Sequence, residues 1–213
     1  MKQARQIAGH LLEVKAVRLQ PEEPFTWASG LKSPIYCDNR VVLSFPAIRK
    51  EVIAAFVDLS SRFGELDGIA GVATAGIAHG ALLAEQLNLP FIYIRSKAKA
   101  HGRQNQIEGQ LLAGGRYLVI EDLISTGGSV LQACAALSAA GGVVAGVGAI
   151  FTYEFDRAAH AFEEAGINYA TLSQYSVLIE QAKSQGYITE EQAITLQNWR
   201  RDPAAWSTQF ANV

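Results

Sequence analysis

The sequence predicts an α/β fold, a central and mainly parallel sheet flanked by helices. Three observations carry that prediction. Two strand–turn–helix units recur, Gly68 to about Asn88 and Tyr117 to Ala140, each opening on an apolar run and turning through small residues into a helix. A further apolar run, Val143 to Phe151, follows the second unit directly. The 19 glycines fall mostly between apolar runs, as βα connections require. With 213 residues and 49% apolar side chains, residues 1–213 are read as one domain with a sizeable core.

Composition removes several function classes. A net charge of −2 argues against a general nucleic-acid surface. Cys37 and Cys134 are too few for a disulfide framework and lack metal-ligand spacing, so both are read as free thiols in a reducing compartment. No apolar run approaches the roughly 18 residues of a transmembrane helix. The N-terminus lacks the apolar stretch of a signal peptide. The expectation is a cytoplasmic protein with no membrane and no nucleic-acid partner.

The remaining elements follow in order. Ile7, Leu11, Leu12 and Val14 take helical spacing, and the run turns extended towards Val17 and Leu19 before Pro21 and Pro24 stop it. Phe25 to Arg40 reads as a hairpin around Ser29-Gly30, with Trp27 and Tyr36 as stacking surfaces and Lys32 and Arg40 as cations. Pro46 to Phe63 reads as a helix with Ile48, Val52, Ile53, Phe56 and Leu59 on one face, Ser44 as its N-cap and Gly64 as its stop. Phe91 to Ile94 is a strand. After the central units, Asp156 to Ala165 reads as a helix and Asn168 to Leu172 as a last strand. Tyr175 to Ser184 and Glu190 to Arg201 read as helices, the second capped by Thr189. Trp199 and Trp206 are expected to pack this tail, which carries no assigned chemistry.

Chemistry concentrates in Glu121-Asp122-Leu123-Ile124-Ser125-Thr126-Gly127-Gly128-Ser129. The two acids are placed at the C-terminal end of an apolar strand, Tyr117 to Ile120, where open α/β sheets bind ligands. The small residues after them let backbone N–H groups close on an anion at a helix N-terminus. The carboxylates repel that anion and suit sugar hydroxyls, a developing positive charge or a metal. One ligand satisfies both halves: a phosphorylated ribose. A bare helix cap would explain Ser125 to Ser129 but not the two acids before it, which need partners if buried. Neither a G-x-x-x-x-G-K-[ST] loop nor a G-x-G-x-x-G turn occurs.

The second concentration is Arg95-Ser96-Lys97-Ala98-Lys99-Ala100-His101-Gly102-Arg103. Extended, it would send Arg95, Lys97, Lys99, His101 and Arg103 to one side. Such a single-sided cationic ribbon suits a mobile flap that closes on a polyanion.

Residues 121–129 resemble the 5-phosphoribosyl-1-pyrophosphate (PRPP) signature of type I phosphoribosyltransferases: apolar residues, two acids, two apolar residues, then small residues. The hairpin phrase Ser29-Gly30-Leu31-Lys32-Ser33-Pro34 and the run Arg95 to Gly102 resemble the orotate branch of that family. The resemblance covers nearly the whole chain. It implies the type I phosphoribosyltransferase fold with an N-terminal hood (1–45) and a flap loop (95–115). It implies transfer of phosphoribosyl from PRPP to orotate, giving orotidine 5′-monophosphate and pyrophosphate, with Mg²⁺ held through PRPP rather than by side chains. Arg95, Lys99, His101 and Glu121 through Ser129 are then the PRPP contacts. Lys99, Asp122 and His101 carry the chemistry, and Ser125, Lys32 and Tyr36 face orotate. The turn Thr74-Ala75-Gly76 is placed against the pyrophosphate. The flap reaches the partner's site, so a homodimer is implied.

The chain departs from the family at four places. Ala28, Ala75 and Ser96 stand where basic residues often occur, and Thr152-Tyr153-Glu154 replaces a run that often holds an orotate-contacting arginine. Base specificity is therefore the point at which a transferase for another nucleobase competes. A PRPP-sensing regulator competes less well, since it would want a DNA-binding appendage and has no need of the cationic flap.

Overall fold

The computed structural model describes residues 2–27, 29–96 and 106–210. Its strands are β1 (Val17–Leu19), β2 (Phe25–Thr26), β3 (Lys32–Ser33), β4 (Ile35–Cys37), β5 (Gly68–Val72), β6 (Phe91–Ile94), β7 (Ile107–Glu108), β8 (Arg116–Ile124), β9 (Val143–Thr152) and β10 (Tyr169–Gln174). Its helices are α1 (Lys2–Glu13), α2 (Pro46–Ser60), α3 (Ala75–Leu87), α4 (Gly128–Ala139), α5 (Asp156–Glu164), α6 (Tyr175–Ser184), α7 (Glu190–Arg201) and α8 (Pro203–Thr208), with 3₁₀ turns at Asn39–Ser44 and Ser61–Phe63.

Six strands form the central sheet in the order β10–β9–β8–β5–β6–β7. All neighbours are parallel except β7, which runs antiparallel to β6. The apolar runs that predicted these strands are continuous because both faces are covered. On one face α1, α2, α3, α6 and α7 bury Leu11, Phe56, Leu83, Leu178 and Trp199 against Leu118 and Ile120. On the other, α4 and α5 bury Cys134, Leu137 and Phe162 against Tyr117 and Val119.

From β5 the chain steps outward to β6, then returns to β8 on the other side of β5. The carboxyl ends of β5 and β8 therefore lie side by side where the winding reverses, the position at which open α/β sheets hold ligands. Glycine sets how closely α3 approaches this point. A Cβ on Gly76 would lie 2.3 Å from the Ile120 carbonyl oxygen, and one on Gly71 would lie 2.8 Å from the Gly76 carbonyl oxygen. The first turn of α3 thus rests directly on the backbone of β8.

The N-terminal segment lies outside the sheet. β1 pairs antiparallel with β4, and β2 with β3, so the expected hairpin is present. The C-terminal tail holds it in place. Trp199 is wholly buried and meets Trp27, Tyr153, Phe155 and Tyr175 at centroid distances of 5.4–5.7 Å. The Lys32 backbone N–H donates to Ser207 Oγ at 2.9 Å.

Three details differ from the sequence expectation. The N-cap of α2 is Phe45 rather than Ser44, with no side chain capping, because Pro46 lacks the N–H that Ser44 would have served best. Beyond the last helix read from the sequence, Pro203 opens a further one, α8, capped by Asp202, whose side chain accepts from the Ala205 N–H at 2.9 Å. Trp27 is not an open stacking shelf: Tyr153 stacks on it at 5.6 Å and its indole N–H donates to the Ile35 carbonyl. Thr189 caps α7 as expected, in a capping box with Gln192.

Gly76→Val tests the close approach. It should lower stability by about 2 kcal/mol or more, since a buried backbone contact has no room to relax. Urea unfolding that matches wild type would show that α3 does not rest on β8 in this way.

Candidate active site

Glu121 and Asp122 were expected just after a strand ending at Ile120. Instead β8 runs on to Ile124, so both acids lie inside it. The extension is supported on one side only. β9 pairs with β8 as far as Ile124↔Thr152, whereas pairing with β5 ends at Gly71↔Ile120. Beyond Ile120 one edge of β8 therefore faces the crevice. Leu118 and Ile120 belong to the α1–α3 face and Tyr117 and Val119 to the α4 face. Glu121 lies near enough to Cys134 of α4 to raise its thiol, and Asp122 acts on Cys37 and is itself acted on by Asp38 and Arg40 of the N-terminal segment.

The two carboxyls are bound to one another through the backbone. The Asp122 N–H donates to Glu121 Oε1 at 2.9 Å. Burial, reinforced by Asp122, raises Glu121 to about 9, and burial raises Asp122 as well. Glu121 thus holds a proton at neutral pH, and the Asp122 carboxyl lies nearer the crevice.

After Ile124 the chain turns through half-buried Ser125 and exposed Thr126 into Gly127, which is buried, has φ +82° and is the N-cap of α4. Gly127 has no side chain, and no side chain among the described residues caps this helix. The first N–H groups of α4, among exposed Gly128 and Ser129, are open to an anion. Leu123 is half-buried against the α1–α3 core and Ile124 is buried in the other. They anchor the turn through packing, and any ligand contact they make is through the backbone.

The turn after β4 covers the Asp122 side. Asp38 accepts from Arg40 Nε at 2.6 Å and Nη2 at 2.8 Å, and the guanidinium holds the Asp38 carboxyl below the usual range. Burial pushes the Cys37 thiol up, and Asp122 and Asp38 add to it. Wholly buried Asn39 donates its Nδ2 to the Asp122 carbonyl at 2.7 Å.

The other expected residues are placed as follows. Arg95 pairs with Glu108 at 3.6 Å at the base of the 97–105 segment and, with Ser96, Gln106 and Ser129, lines one cavity of about 20 Å³. The sheet thus brings Arg95 and the α4 turn together. Lys97, Lys99, His101 and Arg103 lie outside the described residues, as does Ala28. Lys32 Nζ donates to Thr26 Oγ1 across the hairpin at 3.0 Å. Tyr36 lies 5.5 Å from the Phe25 ring, and the Arg18 guanidinium sits 5.0 Å from both ring centroids. Tyr153, where an arginine was noted as missing, is buried among Trp27, Phe151, Phe155 and Trp199. Arg200 Nη1 reaches the neighbouring Glu154 carbonyl at 2.8 Å.

Sequence reasoning missed Asn39 and His79. His79 is wholly buried on α3, and burial lowers it to about 4, so its ring is neutral; it lies against the Asn39 backbone. Neither its ring nitrogens nor Asn39 Oδ1 have a hydrogen-bond partner among the described residues. His79 sits in an apolar and small-residue stretch and Asn39 between the charged Asp38 and Arg40, and in neither place does a lone buried polar side chain leave a periodic signal.

An uncapped helix N-terminus and a pair of buried acids thus stand adjacent at the switch point of the sheet. A family model for the phosphoribosyl transferase domain matches residues 40–169. The chain is a phosphoribosyltransferase. Orotate phosphoribosyltransferases of Streptococcus pyogenes serotypes M12 and M1 are 56% identical to it over 207 residues, 97% of this chain and 99% of theirs, and the chain belongs to their family. Among solved structures, Leishmania donovani UMP synthase matches at TM-score 0.79 and 28% identity, over 92% of this chain and 42% of that one. Orotate phosphoribosyltransferase from Aeropyrum pernix matches in fold at TM-score 0.75 and 24% identity, over 86% and 99% of the two chains.

The protonated Glu121 gives a stability signature. Its folded-state value lies above the unfolded value of 4.5, so the folded protein holds a proton that the unfolded chain releases. Stability from this group is complete below the unfolded value and is lost as pH rises towards about 9. Glu121→Gln keeps the oxygen that accepts from Asp122 but cannot ionise. Its urea stability relative to wild type should climb between about pH 5 and about pH 9, by more than about 1 kcal/mol. A pH-independent difference would place the proton elsewhere.

Proposed function

We propose that this chain joins orotate to the ribose of PRPP, releasing pyrophosphate and giving orotidine 5′-monophosphate. The observation that carries the proposal is the juxtaposition of Asp122 with the uncapped α4 N-terminus. The backbone N–H groups and hydroxyls of Ser125 to Ser129 hold the 5′-phosphate. The backbone of Leu123 and Ile124 leads the chain between phosphate and ribose. Asp122 and Glu121 meet the ribose hydroxyls. As the bond from C1 to the pyrophosphate oxygen breaks, its electron pair leaves with pyrophosphate and C1 gains positive charge. The Asp122 anion opposes that charge. Orotate N1 supplies the new bond's electrons and releases its proton to solvent or to the departing pyrophosphate, so no strong side-chain base is needed.

The leaving group needs the opposite field. Arg95 at the end of β6, with Lys99 and His101 beyond it, neutralises the departing pyrophosphate. A Mg²⁺ carried in with PRPP would be held through PRPP rather than by side chains, on the side of the crevice that Asp122 and Glu121 face, and would supply further charge neutralisation of the leaving group. Ser125 and the β3–β4 segment, Lys32 to Tyr36, face the base. Lys99 and His101 act from the partner subunit of a homodimer, in the cytoplasm.

The first test is loss of orotate absorbance on adding PRPP and Mg²⁺, with uracil, hypoxanthine and adenine beside it. Turnover is expected with orotate alone. Turnover with another base would keep the mechanism and move the specificity, and silence with all four would reject the enzyme. Asp122→Asn and Lys99→Ala should each lower kcat about 10²-fold with the fold intact. Mixed in equal amounts and allowed to exchange subunits, the two variants should recover about a quarter of wild-type activity if the flap acts across the dimer. No recovery would place Lys99 in its own subunit's site.

A further inference from the structure

We propose that Asn39 is a positioning residue for Asp122: it stands in for the missing strand neighbour of β8 and so fixes the carboxylate that faces the ribose. The inference rests on Asp122 contacting the ribose, as proposed above.

The backbone directions of β8 carry the case. At Arg116 both backbone groups point towards the β5 side. Its carbonyl accepts from the Asp67 N–H at 2.8 Å and its N–H donates to Asp67 Oδ2 at 2.8 Å. Strand backbone directions alternate, so Leu118, Ile120 and Asp122 point the same way. β5 serves this edge as far as Ile120 and then ends at Val72. Asp122 is therefore the first residue whose N–H and carbonyl face the crevice with no strand to receive them. Side chains take both over. Glu121 Oε1 receives the N–H at 2.9 Å, and Asn39 Nδ2 donates to the carbonyl at 2.7 Å. The amide orientation of Asn39 is forced, because a carbonyl oxygen accepts only a donor.

Asn39 is well held for the task. It is wholly buried, opens the 3₁₀ turn capped by Asp38, and has the neutral, wholly buried His79 ring of α3 against its backbone. The turn after β4, the start of β8's free edge and α3 are thereby joined at one side chain. The consequence reaches the reaction through geometry. With the Asp122 peptide released, the carboxylate loses its fixed direction towards C1 and the hydroxyls, and preorganised charge acts only where it is aimed.

A double-mutant cycle tests this. Asn39→Leu has nearly the same volume and lacks the donor. It should lower kcat/KM for PRPP about tenfold while leaving KM for orotate within about twofold of wild type. In an Asp122→Asn background the same change should have almost no further effect, because the group it positions has gone. Additive losses would mean that Asn39 acts on folding or elsewhere in the site, and the proposal fails. Full activity in Asn39→Leu rejects it too. Should Asn39→Leu not fold, Asn39→Ser, which retains a hydroxyl donor at shorter reach, carries the same cycle. Wild-type activity in Asp122→Asn alone would instead overturn the ribose role on which the proposal rests.

Discussion

Two carboxyl groups on consecutive residues of a buried strand cannot both stay ionised without strong compensation, and no cation pairs with Glu121 among the described residues. Burial raises both carboxyls above their ordinary range. Glu121 lies towards Cys134 of α4, is pushed up to about 9 and accepts the Asp122 N–H, while Asp122 lies beside the turn after β4. The rest of the structure is arranged around this pair. β9 extends alongside β8 to support the acids, β5 stops short to open an edge beside them, and α3 presses on the strand just before them through Gly76.

The same stretch turns within a few residues from a negative environment to a positive one. Asp122 belongs to a strand, and the open N–H groups of α4 begin five residues later at Gly127. A helix N-terminus beside a carboxylate would normally be quenched by it through capping. Here the left-handed Gly127 turns the helix away from the acids and leaves its donors unused. The two fields needed by a phosphorylated sugar that becomes cationic at C1 are thus built from backbone and one side chain.

The sheet was legible in the sequence because strands buried on both faces read as unbroken apolar runs; Gly68 to Val72 and Val143 to Thr152 show this directly. The turn from β8 into α4 was legible because small residues with Gly127 mark a strand-to-helix turn. The end of β8 was misplaced because charged residues break an apolar run while the ladder with β9 continues through them. Asn39 and His79 escaped because they act by filling gaps in a tertiary arrangement, and nothing local demands an amide or an imidazole at those positions. Trp27 was read as a ligand surface, but its partner, Tyr153, comes from the far side of the chain. That contact also accounts for Tyr153 as a packing residue at a place where an arginine often stands.

The bond from Lys32 to Ser207 spans 175 residues. During synthesis the β2–β3 hairpin emerges early, yet the hydroxyl that receives its backbone arrives almost last, together with the Trp199 cluster that seats Trp27. The sheet, the acids and the phosphate turn are all complete before then. A nascent chain would therefore possess its sugar-phosphate half well before its N-terminal half is latched, and the order of assembly follows from sequence separation alone. Non-local closure of this kind makes the hairpin the last piece to lock and the first to loosen. Local opening of the hairpin, with the central sheet and the 125–129 turn still intact, is the partial unfolding that these contacts favour.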